Sequence, residues 1–174
     1  MYNYEYKTLH ELMEQAAAQQ MSLSEIIMRH EMETSEQTEE TVRALMASRL
    51  DVFHESIQAG LEDKGKSVSG LVGGDAEKLL QSQAKLLGPL ARKAAVYALA
   101  VSEANAKMFK IVACPTAGSC GIVPAVMMAA AEELDIADDV CVNALFTAAG
   151  IGAVVARNAS VAGAVGGCQA ECGT

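Results

Sequence analysis

The spacing of apolar residues along the chain predicts a protein built almost entirely from helices. The clearest series recurs every three or four residues for about five turns before a glycine-rich stretch. Its members are Val42, Leu45, Met46, Leu50, Phe53, Ile57 and Leu61. Upstream, Thr8 with Glu11 and Ser22 with Glu25 have the hydroxyl-to-carboxylate spacing that caps a helix N-terminus, so two short helices are predicted to begin there.

Helical spacing returns after residue 75. Residues 76–88 and 90–110 are predicted to form a pair of helices on either side of a Gly-Pro break. Pro124 suits the first turn of the next helix, and residues 138–158, which carry charges only at their ends, predict a central and buried helix. The sequence shows no alternation of strands with helices. We therefore expect an all-α fold and a single domain over residues 1–174.

Two glycine-rich loops interrupt the pattern, and each is a candidate functional site. Residues 62–75 hold glycines and isolated polar groups that do not sustain a helix. Residues 113–121 lead directly into the helix of Pro124, whose free N–H groups and positive dipole end would attract a carboxylate or phosphate. The candidate anion cradle consists of Thr116, Ala117, Gly118 and Ser119. A well-capped helix after a tight turn explains the same spacing equally well.

Composition and charge narrow the class of partners. Apolar residues make up 51% of the chain and aromatics only 4%, which suits closely packed helices better than sheets. The net charge of −9 argues against nucleic acid, whose phosphates require a basic surface. The longest uncharged run, residues 111–131, is broken by Pro and Gly and leaves about ten helix-competent residues, short of the ~20 that a bilayer needs. We expect neither nucleic acid nor a membrane as a partner.

Five cysteines and no basic-then-apolar leader predict a reducing, cytoplasmic setting, where thiols are core residues, nucleophiles or metal ligands. Cys168 and Cys172 would share one face of a helix, but the glycines around them resist helix formation and two thiolates do not make a zinc site. Their spacing alone favours two small buried cysteines. No lysine is marked as a pyridoxal phosphate anchor, so we expect no pyridoxal phosphate.

Three stretches of the sequence carry a resemblance to a known family. They are SVSGLVGGDAEKL at 67–79, CPTAGSCGIVPAVM at 114–127 and GCQAECGT at 167–174. Together, and in this order, they resemble the alpha chain of the bacterial iron–sulfur-dependent L-serine dehydratases over essentially the whole chain. The resemblance implies a lyase that converts L-serine to pyruvate and ammonia. It also implies a separate beta chain, and hence a hetero-oligomer.

The resemblance assigns roles to individual residues. Cys168 matches one of three thiolates that hold a [4Fe–4S] cluster, whose open iron makes the serine β-hydroxyl a better leaving group. The loop at 116–119 is expected to seat the serine carboxylate. The glycine-rich loop is expected to close over the same site. Its contributing residues are Ser69, Gly73, Gly74 and Asp75. No residue is identified as the base that removes the α-proton, and the beta chain is one possible source.

Two other functions fit the residues. One is a non-catalytic helical binding or assembly module, in which a glycine-rich edge docks another subunit and the cysteines are merely packed. The other is a helical enzyme that holds a carboxylate or phosphate at 116–119 without a metal. Residues 159–174 contain a single charge, Glu171, and lack the polar character of a usual terminus. Under the dehydratase interpretation the other two cluster ligands lie beyond residue 174, so the chain is expected to be incomplete at its C-terminal end.

Overall fold

The computed structural model describes residues 3–83 and 85–173, and every regular element within them is helical. The longer helices are α1 (Leu9–Gln19), α2 (Leu23–Ser35), α3 (Glu39–Glu62), α4 (Asp75–Gln81), α5 (Pro89–Ala106), α6 (Ile122–Leu134) and α7 (Asp138–Asn158). A 3₁₀ turn, Ala117–Ser119, precedes α6, and two short helices follow α7: α8 (Gly163–Gly166) and α9 (Cys168–Cys172). The predicted all-α fold class is confirmed.

The first helices begin at the predicted caps. The hydroxyl of Thr8 accepts a hydrogen bond from the Glu11 N–H at 3.1 Å and so caps α1. At α2, the Ser22 hydroxyl accepts from the Glu25 N–H at 3.3 Å, while the Glu25 carboxylate accepts from the Ser22 N–H at 2.8 Å. These reciprocal bonds satisfy N–H groups that have no partner within the helix. The long apolar series predicted around residue 50 lies within α3.

One hydrophobic cluster runs through the helices, and α3 lies between its two halves. On one side α3 packs with α2 and α7, and on the other with α5 and α6. A Cβ added at Gly60 of α3 would overlap the Ala100 carbonyl of α5, and one added at Gly121 would lie 2.7 Å from the Ala98 carbonyl oxygen. The backbones of α3 and of the residue before α6 therefore approach α5 closely. The assignment of residues 1–174 to a single domain stays a prediction.

Two predicted helices end earlier than expected. The helix predicted over 76–88 ends at Gln81, where the Ser82 N–H donates to the Lys78 carbonyl and Arg92 of α5 donates to the carbonyls of Leu80 and Ser82. The helix predicted over 90–110 ends at Ala106, because Met108 adopts a left-handed backbone conformation with φ of 66°.

The helix predicted to be central and buried, α7, is buried along one face only. Within the described chain that face packs against α2 and α3. It consists of Cys141, Val142, Leu145, Phe146, Gly150 and Val154, while Val140 is 51% exposed. By length and composition alone, Ala117–Leu134 and Asp138–Asn158 could each cross a membrane, with 39% and 33% of their residues buried inside the structure. The expectation that the chain has no membrane partner stays a prediction.

The glycine-rich end of the chain is partly helical, which corrects the expectation that its glycines prevent helix formation. Residues 163–166 and 168–172 each form a short turn of helix. Gly167 joins them with a φ of 66°, a left-handed conformation that costs glycine little. The two turns pack on each other, and α9 packs on the 3₁₀ turn. These contacts hold a segment whose intrinsic helix propensity is low.

Candidate functional site

The first candidate region is the glycine loop, residues 63–74, which joins α3 to α4. Ser67 closes it, since its N–H donates to the Val72 carbonyl at 2.8 Å and its hydroxyl accepts from the Val72 N–H at 3.3 Å. The hydroxyls of Ser67 and Ser69 lie 3.1 Å apart. Ser67 is buried, whereas Ser69 is exposed. The loop therefore presents the hydroxyl of Ser69 at its surface.

Two glycines at the end of this loop adopt conformations that other residues rarely adopt. Gly73 has a φ of 131° and Gly74 a φ of 86°. A Cβ at Gly73 would overlap the Gly65 carbonyl oxygen and lie 3.3 Å from Cε of Lys107. Any larger residue at position 73 would therefore be strained in its backbone and would also clash.

A buried carboxylate from α5 holds the start of α4. Glu103 is 3% exposed. Its Oε2 accepts from the Gly74 N–H at 2.8 Å, and its Oε1 accepts from the N–H groups of Asp75 at 2.6 Å and Ala76 at 3.0 Å. Two residues that were predicted to contribute to the substrate loop, Gly74 and Asp75, thus have their N–H groups bonded to an internal carboxylate. Glu103 is the one acidic residue within α5, but the sequence pattern gives no sign of its role.

The side chain of Asp75 is exposed and engaged locally. Its Oδ1 lies 2.7 Å from Nζ of Lys78, and this hydrogen bond, with the Lys78 charge, lowers the pKa of Asp75. At the loop's other end, Nζ of Lys107 donates to the Asp63 carbonyl, and the Lys107 side chain is only 5% exposed. Lys66 donates to the Gly73 carbonyl. Lysines and Glu103 therefore hold both ends of the glycine loop.

The second candidate region is the cradle loop, residues 113–121. Ser119 is buried inside it, and its hydroxyl donates to the Cys114 carbonyl at 2.8 Å and accepts from the Thr116 N–H at 3.4 Å. Ala117 and Gly118 are exposed, and Thr116 is half-buried. Ser119 therefore maintains the shape of the loop, while the backbone around Gly118 forms its accessible surface.

The two loops contact different sides of α5. The side-chain amide of Asn105 donates to the Ala117 carbonyl of the cradle loop at 2.9 Å. Asn105 lies two residues after Glu103, which binds the end of the glycine loop. Two residues correspond to a rotation of about 200° around a helix. No hydrogen bond among the described residues joins one loop to the other. Both loops thus use α5 as their support.

The motif that contains Cys168 lies beside the cradle loop. In α9 the carboxylate of Glu171 lies against Gly118, where an added Cβ would stand 2.5 Å from Oε2. The same carboxylate lies against Gly163 of α8, so it occupies space left by two absent side chains. The structure therefore brings together residues 116–119 and the helix of Cys168, more than forty positions apart in the sequence.

The five cysteines fall into two groups, and all are free thiols. Burial and, to a smaller extent, the neighbouring Cys120 raise the pKa of Cys114 to about 11. Burial also raises the pKa of Cys120 and of Cys141. In the absence of a metal, these three thiols are therefore poor nucleophiles at neutral pH. Cys168 and Cys172 are exposed. The expectation from spacing, that these two are buried, is wrong.

The donor set near Cys168 fits only part of a cluster site. Within residues 3–83 and 85–173, no group of three His, Cys, Asp or Glu side chains could hold a metal ion. A [4Fe–4S] cluster with an open iron needs three thiolates. Cys168 is exposed, as such a ligand would have to be, but the described residues do not supply a complete set of three ligands.

Comparison with known proteins decides the family. The sequence model of the serine dehydratase alpha chain matches residues 18–174, which include both loops and α9. The chain belongs to the serine dehydratase alpha-chain family.

Three relatives show how much of a family member this chain represents. The probable L-serine dehydratase alpha chain of Bacillus subtilis is 42% identical over 172 residues, covering 97% of this chain and 57% of the relative. The alpha chain of Peptoniphilus asaccharolyticus L-serine dehydratase is 35% identical over 170 residues, covering 96% and 58%. The L-serine dehydratase of Mycobacterium tuberculosis is 33% identical over 179 residues, covering 97% and 38%. The chain thus spans a little over half the length of the two alpha chains.

Proposed function

We propose that this chain is the substrate-seating part of an L-serine dehydratase, which converts L-serine to pyruvate and ammonia. The observation that carries the proposal is the packing of α9, which holds Cys168, against the 3₁₀ turn of the cradle loop. This packing puts a candidate cluster ligand beside a candidate carboxylate seat. Membership of the serine dehydratase alpha-chain family supports the same reaction.

The cradle loop would bind the serine carboxylate through the exposed backbone at Ala117 and Gly118, just before the N-terminus of α6. The substrate would there displace the Glu171 carboxylate, which lies against Gly118. Thr116 lies half-buried at the edge of this surface. Ser119 keeps the loop in shape from inside. Fixing the carboxylate fixes the orientation of the α-proton and the β-hydroxyl, which is the main contribution that a binding loop makes to an elimination.

The glycine loop would supply the second wall of the serine site. The exposed hydroxyl of Ser69 is its accessible polar group, and Gly73, Gly74 and Asp75 fix the loop's end rather than donate N–H groups to the substrate. Because this loop lies on another side of α5, the proposal requires residues outside the described chain to complete the site between the loops.

Cys168 would hold a [4Fe–4S] cluster together with two ligands from outside this chain. When bound, the cluster supplies an iron with an open position that binds the β-hydroxyl and promotes its departure as water. A separate beta chain would complete the enzyme as a hetero-oligomer, since two relatives are named as alpha chains. Five free thiols support a reducing, cytoplasmic setting.

The experiment is anaerobic iron–sulfide reconstitution of this chain beside a chain extended to the length of its relatives, each with the beta chain. The expected result is visible cluster absorbance and pyruvate formation from L-serine with the extended chain. In that chain, Cys168→Ser should abolish the absorbance and Cys172→Ser should retain it. Equal loss in both variants would show that the ligand is assigned too narrowly, and absence of iron in every chain would reject the cluster.

The alternative of an assembly module has one observation in its favour. The segment between α4 and α5 and the first turn of α5 expose apolar side chains, with Leu86 fully exposed and Leu87 and Leu90 each exposed by more than 40%. The assembly-module alternative assumes that the cysteines are packed in the core, but Cys168 and Cys172 are exposed. A metal-free chain that bound the beta chain tightly but gave no serine turnover after reconstitution would favour this alternative.

A further inference from the structure

Glu103 is a buried carboxylate that accepts hydrogen bonds from backbone N–H groups. It is 3% exposed in the last turns of α5 and accepts three hydrogen bonds, all from consecutive N–H groups at positions 74, 75 and 76. An isolated buried carboxylate is strongly destabilising, and hydrogen bonds to charged groups offset this cost. These three bonds therefore fix Glu103 and the start of α4 to each other.

Glu103 differs from an ordinary helix-capping residue because its carboxylate belongs to a different helix, α5. Glu103 lies 27 to 29 positions from its partners. The first partner, Gly74, belongs to the glycine loop, and the preceding Gly73 accepts from Lys66. Four residues after Glu103, Lys107 donates to Asp63 at the loop's other end. One face of α5 thus holds both ends of the loop that presents Ser69.

We propose that Glu103 is a positioning residue for the serine site, acting through the N–H groups of residues 74–76. The inference rests on the proposed function, since it makes the glycine loop part of that site. Glu103 does not touch the substrate. Its carboxylate binds the N–H of Gly74, the second of the two positive-φ glycines that end the loop, and so fixes the point where the loop that carries Ser69 joins α4. Serine then meets a loop that is already in its bound conformation.

The substitution Glu103→Gln tests this role with almost no change in volume. A glutamine has one acceptor oxygen and an NH₂ group that can only donate. The three backbone N–H groups occupy both oxygens of Glu103, so in the variant at least one N–H faces another donor. The expected result is local opening at Gly74–Ala76. Hydrogen exchange of these amides should become at least about tenfold faster, while exchange in α7 stays unchanged.

In the complete enzyme, Glu103→Gln should raise KM for L-serine by about tenfold or more, with a smaller change in kcat. The matched control is Glu55→Gln, an exposed glutamate of α3 that pairs with Lys110. It should leave both KM and the exchange rates at 74–76 unchanged. A purely structural role for Glu103 would lower the active fraction and the melting temperature without moving KM.

An unchanged KM with faster exchange at 74–76 would overturn the proposal, because the loop would be loosened without consequence for serine. If Glu103→Gln does not fold, the unsubstituted chain still tests the idea: its amides at 74–76 must be better protected than those of Ser69 and Gly70 at the loop tip. Equal protection would overturn it. Hydrogen exchange is measured without turnover. It therefore tests whether Glu103 holds residues 74–76 separately from whether the enzyme is a serine dehydratase.

Discussion

The side-chain amide of Asn105 donates a 2.9 Å hydrogen bond to the carbonyl oxygen of Ala117, and so ties the cradle loop to the end of α5. Asn105→Ala removes this bond and leaves the carbonyl to solvent, which should cost about 1 kcal/mol or less in the free energy of unfolding. If the loop seats the serine carboxylate, KM for L-serine should rise severalfold in the complete enzyme.

The control for this variant is Asn143→Ala in α7, which loses a 3.1 Å bond from Arg43 remote from both loops. Steady-state kinetics with both variants separate the two effects. Equal KM values for the Asn105 and Asn143 variants would contradict a role for the cradle loop in substrate binding.

Ser119→Ala tests the cradle loop from inside. The buried hydroxyl donates to the Cys114 carbonyl at 2.8 Å, and its loss leaves that carbonyl without this partner. We expect destabilisation by about 1–2 kcal/mol and weaker serine binding, measured by urea unfolding and by KM. Ser48→Ala, at an exposed position of α3, is the matched control. Unchanged kinetics in the Ser119 variant would remove this loop from the substrate site.

The cysteines should differ in reactivity in a way that depends on pH. The thiolate is the reactive form, and a pKa of about 11 keeps Cys114 protonated at pH 8. Iodoacetamide at pH 8 should therefore modify the exposed Cys168 and Cys172 first, with mass spectrometry locating the label. Raising the pH towards 11 should increase modification of Cys114, because its thiolate fraction grows. Early labelling of Cys114 at pH 8 would contradict its burial.

Gly60→Ala should be the most destabilising of these substitutions. The added methyl group would overlap the backbone of Ala100, so α3 and α5 would have to separate, at a cost of about 3 kcal/mol in the free energy of unfolding. Gly152→Ala in α7 is the matched control, since nothing lies within 4 Å of its added Cβ. It should stabilise the chain by up to about 1 kcal/mol, because alanine favours helix. Urea denaturation measures both, and similar midpoints would contradict the close helix approach.

Elements set by local chemistry were predictable from the sequence. Thr8 and Ser22 cap helices because their hydroxyls reach N–H groups three residues away, and such bonds need no tertiary structure. The apolar series of α3 was equally clear, since its period alone indicates a helix. The prediction that residues 116–119 and Cys168 belong to one site rested on the family resemblance alone, because packing between distant segments leaves no periodic signal in the sequence.

Features that depend on distant partners were missed. α4 stops at Gln81 where Arg92 binds its last carbonyls, and no local signal marks that contact. Glu103 was not predicted to belong to a site, because its partners are N–H groups 27 to 29 positions earlier in the chain. The turn at Cys168–Cys172 overrides the low helix propensity of its glycine neighbours through contacts with the 3₁₀ turn.

The two-residue interval between Glu103 and Asn105 restricts how this helix can change in length. One inserted or deleted residue between them would turn one anchor by about 100° relative to the other, so that only one loop could keep its bond. Among natural variants of this chain, we therefore expect the interval from 103 to 105 to keep its length.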